Sequence, residues 1–228
     1  NDRMGYVTFT DAAGTELIPT NTIPVTLNAR MAYIYCQVDE GQDLSTNPKS
    51  IKITLLADPT GIDATAITTP KVGESADVTT NASVGSLSFV SGYSTVAPFQ
   101  FSENTIVLPV LYRVKNVTTT EDIKNELAKH TFTLVCYTDD IKSGDTILKL
   151  YLRYKVEDEP AAIAERATRT SSFKAYEISQ ILREYTLKSG QTKPAKITIV
   201  AQQNEYNNKL EDTSTIEKVY EIEYKTAE

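Results

Sequence analysis

Along residues 147–156, Ile-Leu-Lys-Leu-Tyr-Leu-Arg-Tyr-Lys-Val, apolar and polar side chains alternate without a break. Successive side chains of a strand point to opposite faces. Leu148, Leu150, Leu152, Tyr154 and Val156 therefore share one side, and Lys149, Tyr151, Arg153 and Lys155 the other. A strand with one wet face predicts antiparallel neighbours, because parallel strands are usually covered on both faces.

The same pattern predicts strands over 5–10, 23–27, 32–38, 51–56, 86–90, 104–114, 131–137, 196–200 and 216–224. In the last of these, Tyr220, Ile222 and Tyr224 share a face. Pro24 and Pro109 mark edges, strand starts or a bulge, since proline cannot donate to the ladder. Asp11–Gly14 and Asp58–Gly61 read as turns. Residues 57–86, rich in Thr, Ala, Ser and Gly, read as a long loop or a weak strand pair.

Residues 118–129 read as a short helix, with Ile123 and Leu127 on one face and threonines available to cap it. The polar stretch 138–145 joins two alternating runs as a hairpin connection. After Pro160, residues 161–168 fit a short helix, while 173–187 fit helix and strand templates about equally. Short strands at this spacing predict an all-β, antiparallel β-sandwich, Ig-like or jelly-roll, with one or two short helices. Residues 1–160 form the main sandwich, closed by Glu157–Pro160. Residues 161–228 form a smaller C-terminal unit or an extension of the same sandwich.

Composition narrows the partners. The 228 residues carry a formal charge of −7, and no Lys/Arg cluster supplies the basic field that nucleic acid requires. No apolar run approaches the ~18–20 residues of a spanning helix. Thirteen Tyr and six Phe without Trp suit half-exposed sheet faces. The start at Asn1-Asp2-Arg3 reads as a processed or trimmed product, which fits a secreted protein after signal removal, a polyprotein fragment or a trimmed chain. Together with the β pattern and the sparse catalytic inventory, this puts the expected place outside the cell or at its surface.

Cys36 and Cys136 each sit in an apolar run. They are open to three readings: buried free thiols, a long-range disulfide or a reactive thiol.

Candidate chemistry is sparse. Asp139, Asp140 and Asp145 offer oxygens for Ca²⁺, although the EF-hand ligand order is absent and Asp is an ordinary turn residue. Glu157-Asp158-Glu159 reads as a solvated linker, since consecutive carboxylates on an extended chain diverge. The single histidine, His130, falls at a helix-to-strand junction, where a cation favours the negative end of the helix dipole. Its pairing with Cys136 matches a thiol protease in residue type only. No nucleophile elbow, P-loop or dinucleotide glycine pattern occurs. Asn81 and Asn116 head Asn-X-Ser/Thr triplets and read as chance matches. No cofactor is expected.

These readings point away from catalysis and toward a surface structural or adhesive β-sandwich that assembles with other protein subunits, including copies of itself. Lys149, Tyr151, Arg153 and Lys155 form the most basic strip of an acidic chain, so they are the expected contact surface for an acidic partner. The run closing in Glu157–Pro160 is similar to the closing strand of viral jelly-roll shells, which implies a virion domain as one alternative. A carbohydrate-binding module, with Tyr stacked on sugar rings, is another.

Overall fold

The computed structural model describes residues 8–11, 13–21, 29–70, 79–91 and 94–226. The strands expected over 5–7 and 23–27, and the middle of the expected 57–86 loop, lie outside these residues. Strand makes up 44% and helix 15%, which fixes the class as an all-β, sandwich-like fold. The chain divides into two compact units, Asn1–Asp63 and Ala64–Glu228.

In the first unit, β1 (Phe9–Thr10), β2 (Glu16–Pro19), β5 (Ser50–Leu55) and β4 (Cys36–Val38) form one sheet in that order. The strands β3 (Met31–Tyr33) and β6 (Thr60–Ile62) form a separate antiparallel pair. The single strand expected over 32–38 is thus two, parted at Ile34 and Tyr35. Ile53 and Leu55 of β5 are buried. The neighbouring turn is held by Asp39, whose two carboxylate oxygens accept from the Thr20 and Thr54 hydroxyls, each at 2.7 Å.

The second unit holds β7 (Ala64–Ala66), β8 (Phe89–Ser91), β9 (Ser94–Val96), β10 (Phe99–Ser102), β11 (Thr105–Val114), α1 (Thr120–Ala128) and β12 (His130–Val135). It continues with β13 (Ile147–Val156), α2 (Pro160–Ala164), β14 (Thr168–Glu177), α3 (Ser179–Ser189), β15 (Lys196–Gln203) and β16 (Ile216–Glu223). One sheet runs β10-β11-β14-β7 and the other β12-β13-β15-β16. Ile106, Leu108 and Val110 of β11 join Leu148, Leu150 and Leu152 of β13 and Ile197 and Ile199 of β15 in one buried cluster. Two sheets sharing one core in this way make a sandwich.

The alternation of β13 is realised residue by residue: Leu148, Leu150, Leu152, Tyr154 and Val156 are buried, and the intervening side chains are not. Pairing with β12 is antiparallel, as expected, but pairing with β15 is parallel. The physical reason is the connection: α2, β14 and α3 intervene before β15, and such a crossover returns the chain in the same direction. On the outer face of β13, Lys149 and Lys155 are exposed and Tyr151 and Arg153 half-buried.

Three α-helices occur among the described residues, one more than the sequence pattern predicts. The extra one is α3, which buries Ile181 and Tyr185. It ends where Gly190 takes a left-handed conformation (φ +76°) and donates its N–H to Thr186 at 3.0 Å.

Ala82–Leu87 are buried and link the two sheets. Val84 donates to the Gln202 carbonyl at 2.9 Å, while Gly85 donates to Leu111 at 2.7 Å. A Cβ on Gly85 would lie 3.1 Å from the Leu111 oxygen, so glycine allows this close approach. The Leu111 N–H and C=O both face this segment. Pro109, two residues earlier, turns its nitrogen to the same side, in the gap between the β10 pairing, which ends at Val107, and the Ser86 bridge to Leu111. A proline inside β11 thus leaves no ladder bond unmade.

Candidate functional site

The outer face of β13 carries the expected strip, and the structure gives it internal order. Tyr137 and Tyr151 meet edge to face, with ring centroids 5.3 Å apart. The Arg153 guanidinium lies 5.2 Å from the Tyr151 ring and 5.7 Å from the Tyr137 ring. It also donates to the Tyr137 hydroxyl at 2.7 Å. The Lys149 ammonium sits 5.2 Å from the Tyr151 ring. Each such contact is worth about 0.5–1 kcal/mol at an exposed site, enough to hold the cations in place but not to neutralise them. Among the described residues, neither Lys149 nor Arg153 has a carboxylate within 4 Å. Tyr151 beside it raises the Lys149 pKa. Lys155 stands further along the same face, exposed.

The 138–145 connection bends over one end of this strip. Between them opens a cleft of about 470 Å³ lined by Tyr137, Asp140, Asp145, Lys149, Tyr151 and Thr198, among others. Sequence reasoning named four of these residues, as two unrelated groups; the fold brings them together. Tyr137 and Thr198 were missed, because only strand register shows that they border β13.

The three aspartates serve different ends. Asp139 pairs with Lys188 at 3.1 Å. Asp145 accepts the Lys142 N–H at 2.7 Å, closing its turn. Asp140 faces the cleft. Among the described residues no three metal-ligating side chains gather.

A second constellation is buried. The Glu126 carboxylate accepts from Arg166 Nε at 2.7 Å and Nη2 at 3.1 Å, and from the Lys115 N–H at 2.9 Å. His130 Nε2 lies 3.2 Å from the same carboxylate, and His130 Nδ1 lies 2.7 Å from the Tyr154 hydroxyl. Asp158 Oδ2 accepts from Arg166, Lys115 and Lys129, each at 3.1 Å. Of the carboxylate stretch read as a solvated linker, Glu157 and Glu159 are exposed but Asp158 is an anchor. Its partners come from after β11, the end of α1 and the turn after α2, so no local spacing announced them.

His130 is not the cation expected at a helix end. Burial pushes its pKa down despite Glu126 beside it, so the ring is neutral. The Nε2–H donates to Glu126 and Nδ1 accepts from Tyr154. Burial alone would raise Glu126, but hydrogen bonds from Arg166, Lys115 and His130, together with the Arg166 charge, bring it down to about 2. Cys36 and Cys136 are free thiols, and burial raises Cys136 to about 12, far from a reactive thiolate.

The His130 and Glu126 shifts point the same way with pH. A group whose pKa is depressed in the fold contributes stability that is complete above its unfolded value and lost on acidification. His130 should withdraw its share as pH falls below its ordinary 6.5. Glu126 should do so from 4.5 downward, toward about 2. Urea unfolding from pH 8 downward should show stability level near neutrality and a decline in two stages below it. His130→Asn should abolish the upper stage and leave the lower. An unchanged upper stage would assign it to another group.

No protein-family model matches the chain, and no curated protein does. Among solved structures, a candidate lipoprotein of Bacteroides fragilis is 96% identical, covering 100% of this chain and 96% of its own, with a TM-score of 0.86. A DUF1344 protein of unknown function from Bacteroides vulgatus shares the fold at 10% identity, with a TM-score of 0.54 over 99% of this chain and 87% of its own. No described helix is long and apolar enough to cross a membrane. The chain belongs to the same family as the Bacteroides fragilis lipoprotein candidate.

Proposed function

We propose that this protein is a non-catalytic β-sandwich held at the cell surface, where it recognises an acidic protein surface through the outer face of β13. The single observation that carries the reading is the Lys149–Tyr151–Arg153–Tyr137 ladder. Two cations with no carboxylate within 4 Å among the described residues are fixed by tyrosine rings beside an open cleft, in a chain of net charge −7. Immobilised Arg and Tyr are the residue types that dominate protein contacts, because little side-chain freedom is left to lose on binding. Surface placement draws on the lipoprotein description of the near-identical relative.

The remaining chemistry supports a binding role. The chain's one histidine is buried and engaged at both ring nitrogens, so neither is left to move a substrate proton. For a sugar ligand, Tyr151 would be the natural platform, but Lys149 and Arg153 already lie over its ring. A sugar ring would have to displace a cation to stack. Nothing in the comparisons supports the virion alternative.

Titration of dilute ¹⁵N-labelled protein with poly-L-glutamate tests the reading. Amide shifts should concentrate on β13 around Lys149–Arg153 and disappear in Lys149→Glu/Arg153→Glu. They should also weaken at ~0.5 M salt, where the Debye length falls to a few ångströms. Shifts scattered over the surface, or none on β13, would sink it.

A further inference from the structure

We propose that the acidic partner is a second copy of this chain, docked face to face on the β12-β13-β15-β16 sheet about a two-fold axis running along β15. The inference rests on reading the β13 strip as a protein-recognition surface and names its occupant.

The argument starts from register. The strand β15 lies between β13 and β16. Thr198 stands opposite Lys149 on one side and opposite Glu221 on the other, and Val200 stands opposite Tyr151 and Val219. One step further along, Gln202 pairs with Glu217, but the β13–β15 ladder has ended at Leu152–Ala201 and Val84 takes the Gln202 carbonyl, so Arg153 follows on β13 without a β15 partner. The outer face therefore reads basic-aromatic along β13 and acidic along β16, with the uncharged Thr198 and Val200 of β15 buried between the two strips. The charge is split evenly across the middle strand.

A face divided this way is complementary to itself. A two-fold axis along β15, in the plane between two copies, lays β13 of one copy over β16 of the other while keeping the rows level. Lys149 then faces Glu221 of the second copy and Tyr151 faces its Val219, with Arg153 beyond them toward the end of β16 that carries its Glu217. Val219, half exposed in the single chain, gains an aromatic cover. Glu217 has no cation within 4 Å among the described residues, although its charge already acts on Lys149 of the same chain. Glu221 already holds Lys196 at 2.8 Å and would share it with Lys149. The cleft beside Tyr137 opens on the β13 side, where the second copy's β16 would arrive.

Sheet twist does not defeat the match. Sheets packed face to face cross at about 30°. Rows one step from the centre, ~7 Å away, are then displaced sideways by roughly 3–4 Å, less than the ~4.8 Å strand spacing. The rows at Thr198 and Val200 keep their partners. The footprint is small: with the axis on β15 only β13, β15 and β16 overlap, and three strands over ~27 Å cover about 400 Å² per copy, below the ~800 Å² per partner of a standard stable interface. The dimer is therefore a weak one, half formed at tens to hundreds of micromolar, and sensitive to salt.

Sedimentation equilibrium of the full chain from about 5 to 500 μM is the test. The mass should climb from monomer toward dimer with concentration, and the climb should be suppressed at ~0.5 M salt. Lys149→Glu/Arg153→Glu should be monomeric, and so should Glu217→Lys/Glu221→Lys. An equimolar mixture of the two variants should dimerise again, because each presents what the other lost on both halves of the face. A wild-type monomer throughout overturns the inference. So does a dimer that survives both charge reversals, since it would use another surface. If poly-L-glutamate still binds β13 while the chain stays monomeric, the recognition reading stands and the occupant is a different protein.

Discussion

Replacing Arg166 with alanine should destabilise the Ala64–Glu228 unit by about 3–5 kcal/mol, the usual cost of removing one partner from a buried ion pair. With a urea dependence of about 2 kcal/mol per molar, the unfolding midpoint should fall by roughly 2 M. The size follows from what is left behind. Arg166 is 1% exposed and Glu126 5%, so water cannot replace the two guanidinium bonds that the carboxylate loses. Glu126 would keep only the Lys115 N–H and the neutral His130, and Asp158 would lose one of its three cations. Glu126 would also lose its nearest positive charge, and its depressed pKa should rise with burial no longer opposed.

The double variant Glu126→Leu/Arg166→Met separates this account from simple loss of packing. Removing both charges leaves nothing buried and unpaired, and such replacements are often neutral or stabilising. Much of the single-variant loss should return, giving a coupling of several kcal/mol between the two positions. A single-variant loss below about 1 kcal/mol would mean that the network is effectively solvated. A double variant as weak as the sum of its parts would mean that Arg166 acts through its bulk alone.

That network was invisible in the sequence for a definite reason. Glu126 and Arg166 are 40 positions apart, and nothing about either residue differs from an ordinary surface charge until the turn after α2 folds against the end of α1. Short-range patterns were far more informative. The strand β13 was legible because it has a buried and a wet face, and the same alternation placed Tyr220, Ile222 and Tyr224 of the β16 segment against the core. The helix α1 was legible from its cap: the Thr119 hydroxyl accepts the Asp122 N–H at 3.1 Å. Residues 173–187 were ambiguous because they contain a strand and a helix that meet at Ile178, which offers no side-chain cap to mark the join.

The candidate surface was half legible for the same reason. Alternation alone put Lys149, Tyr151 and Arg153 on one face. It could not show that Tyr137 would fold onto them, or that an acidic strand would stand two places away. A strand's own sequence records which side is wet, not the direction or identity of its neighbours. The parallel β13–β15 pairing is the clearest case, since nothing in either decides its sense. The intervening crossover does.

Adjacent alanine substitutions on β13 should therefore give sharply unequal results. Leu150→Ala should cost about 3–5 kcal/mol, while Lys149→Ala should stay within about 0.5 kcal/mol. Leu150 has no exposed surface and belongs to the cluster filled by both sheets. On β13 it stands opposite Ile199 of β15, itself fully buried. Deleting its isobutyl group forfeits the transfer of the removed carbons and leaves a cavity. Flanking strands pinned by ladder bonds on both sides of β13 have little freedom to collapse into it. Lys149 points the other way, so its loss touches only the Tyr151 ring contact. The contrast isolates the period-2 pattern itself, because backbone position and strand are nearly the same for both. Urea unfolding followed by far-ultraviolet circular dichroism measures the difference directly. Comparable losses at 149 and 150 would mean that β13 is covered on both faces, and the outer surface assigned to recognition would then not be free to meet a partner.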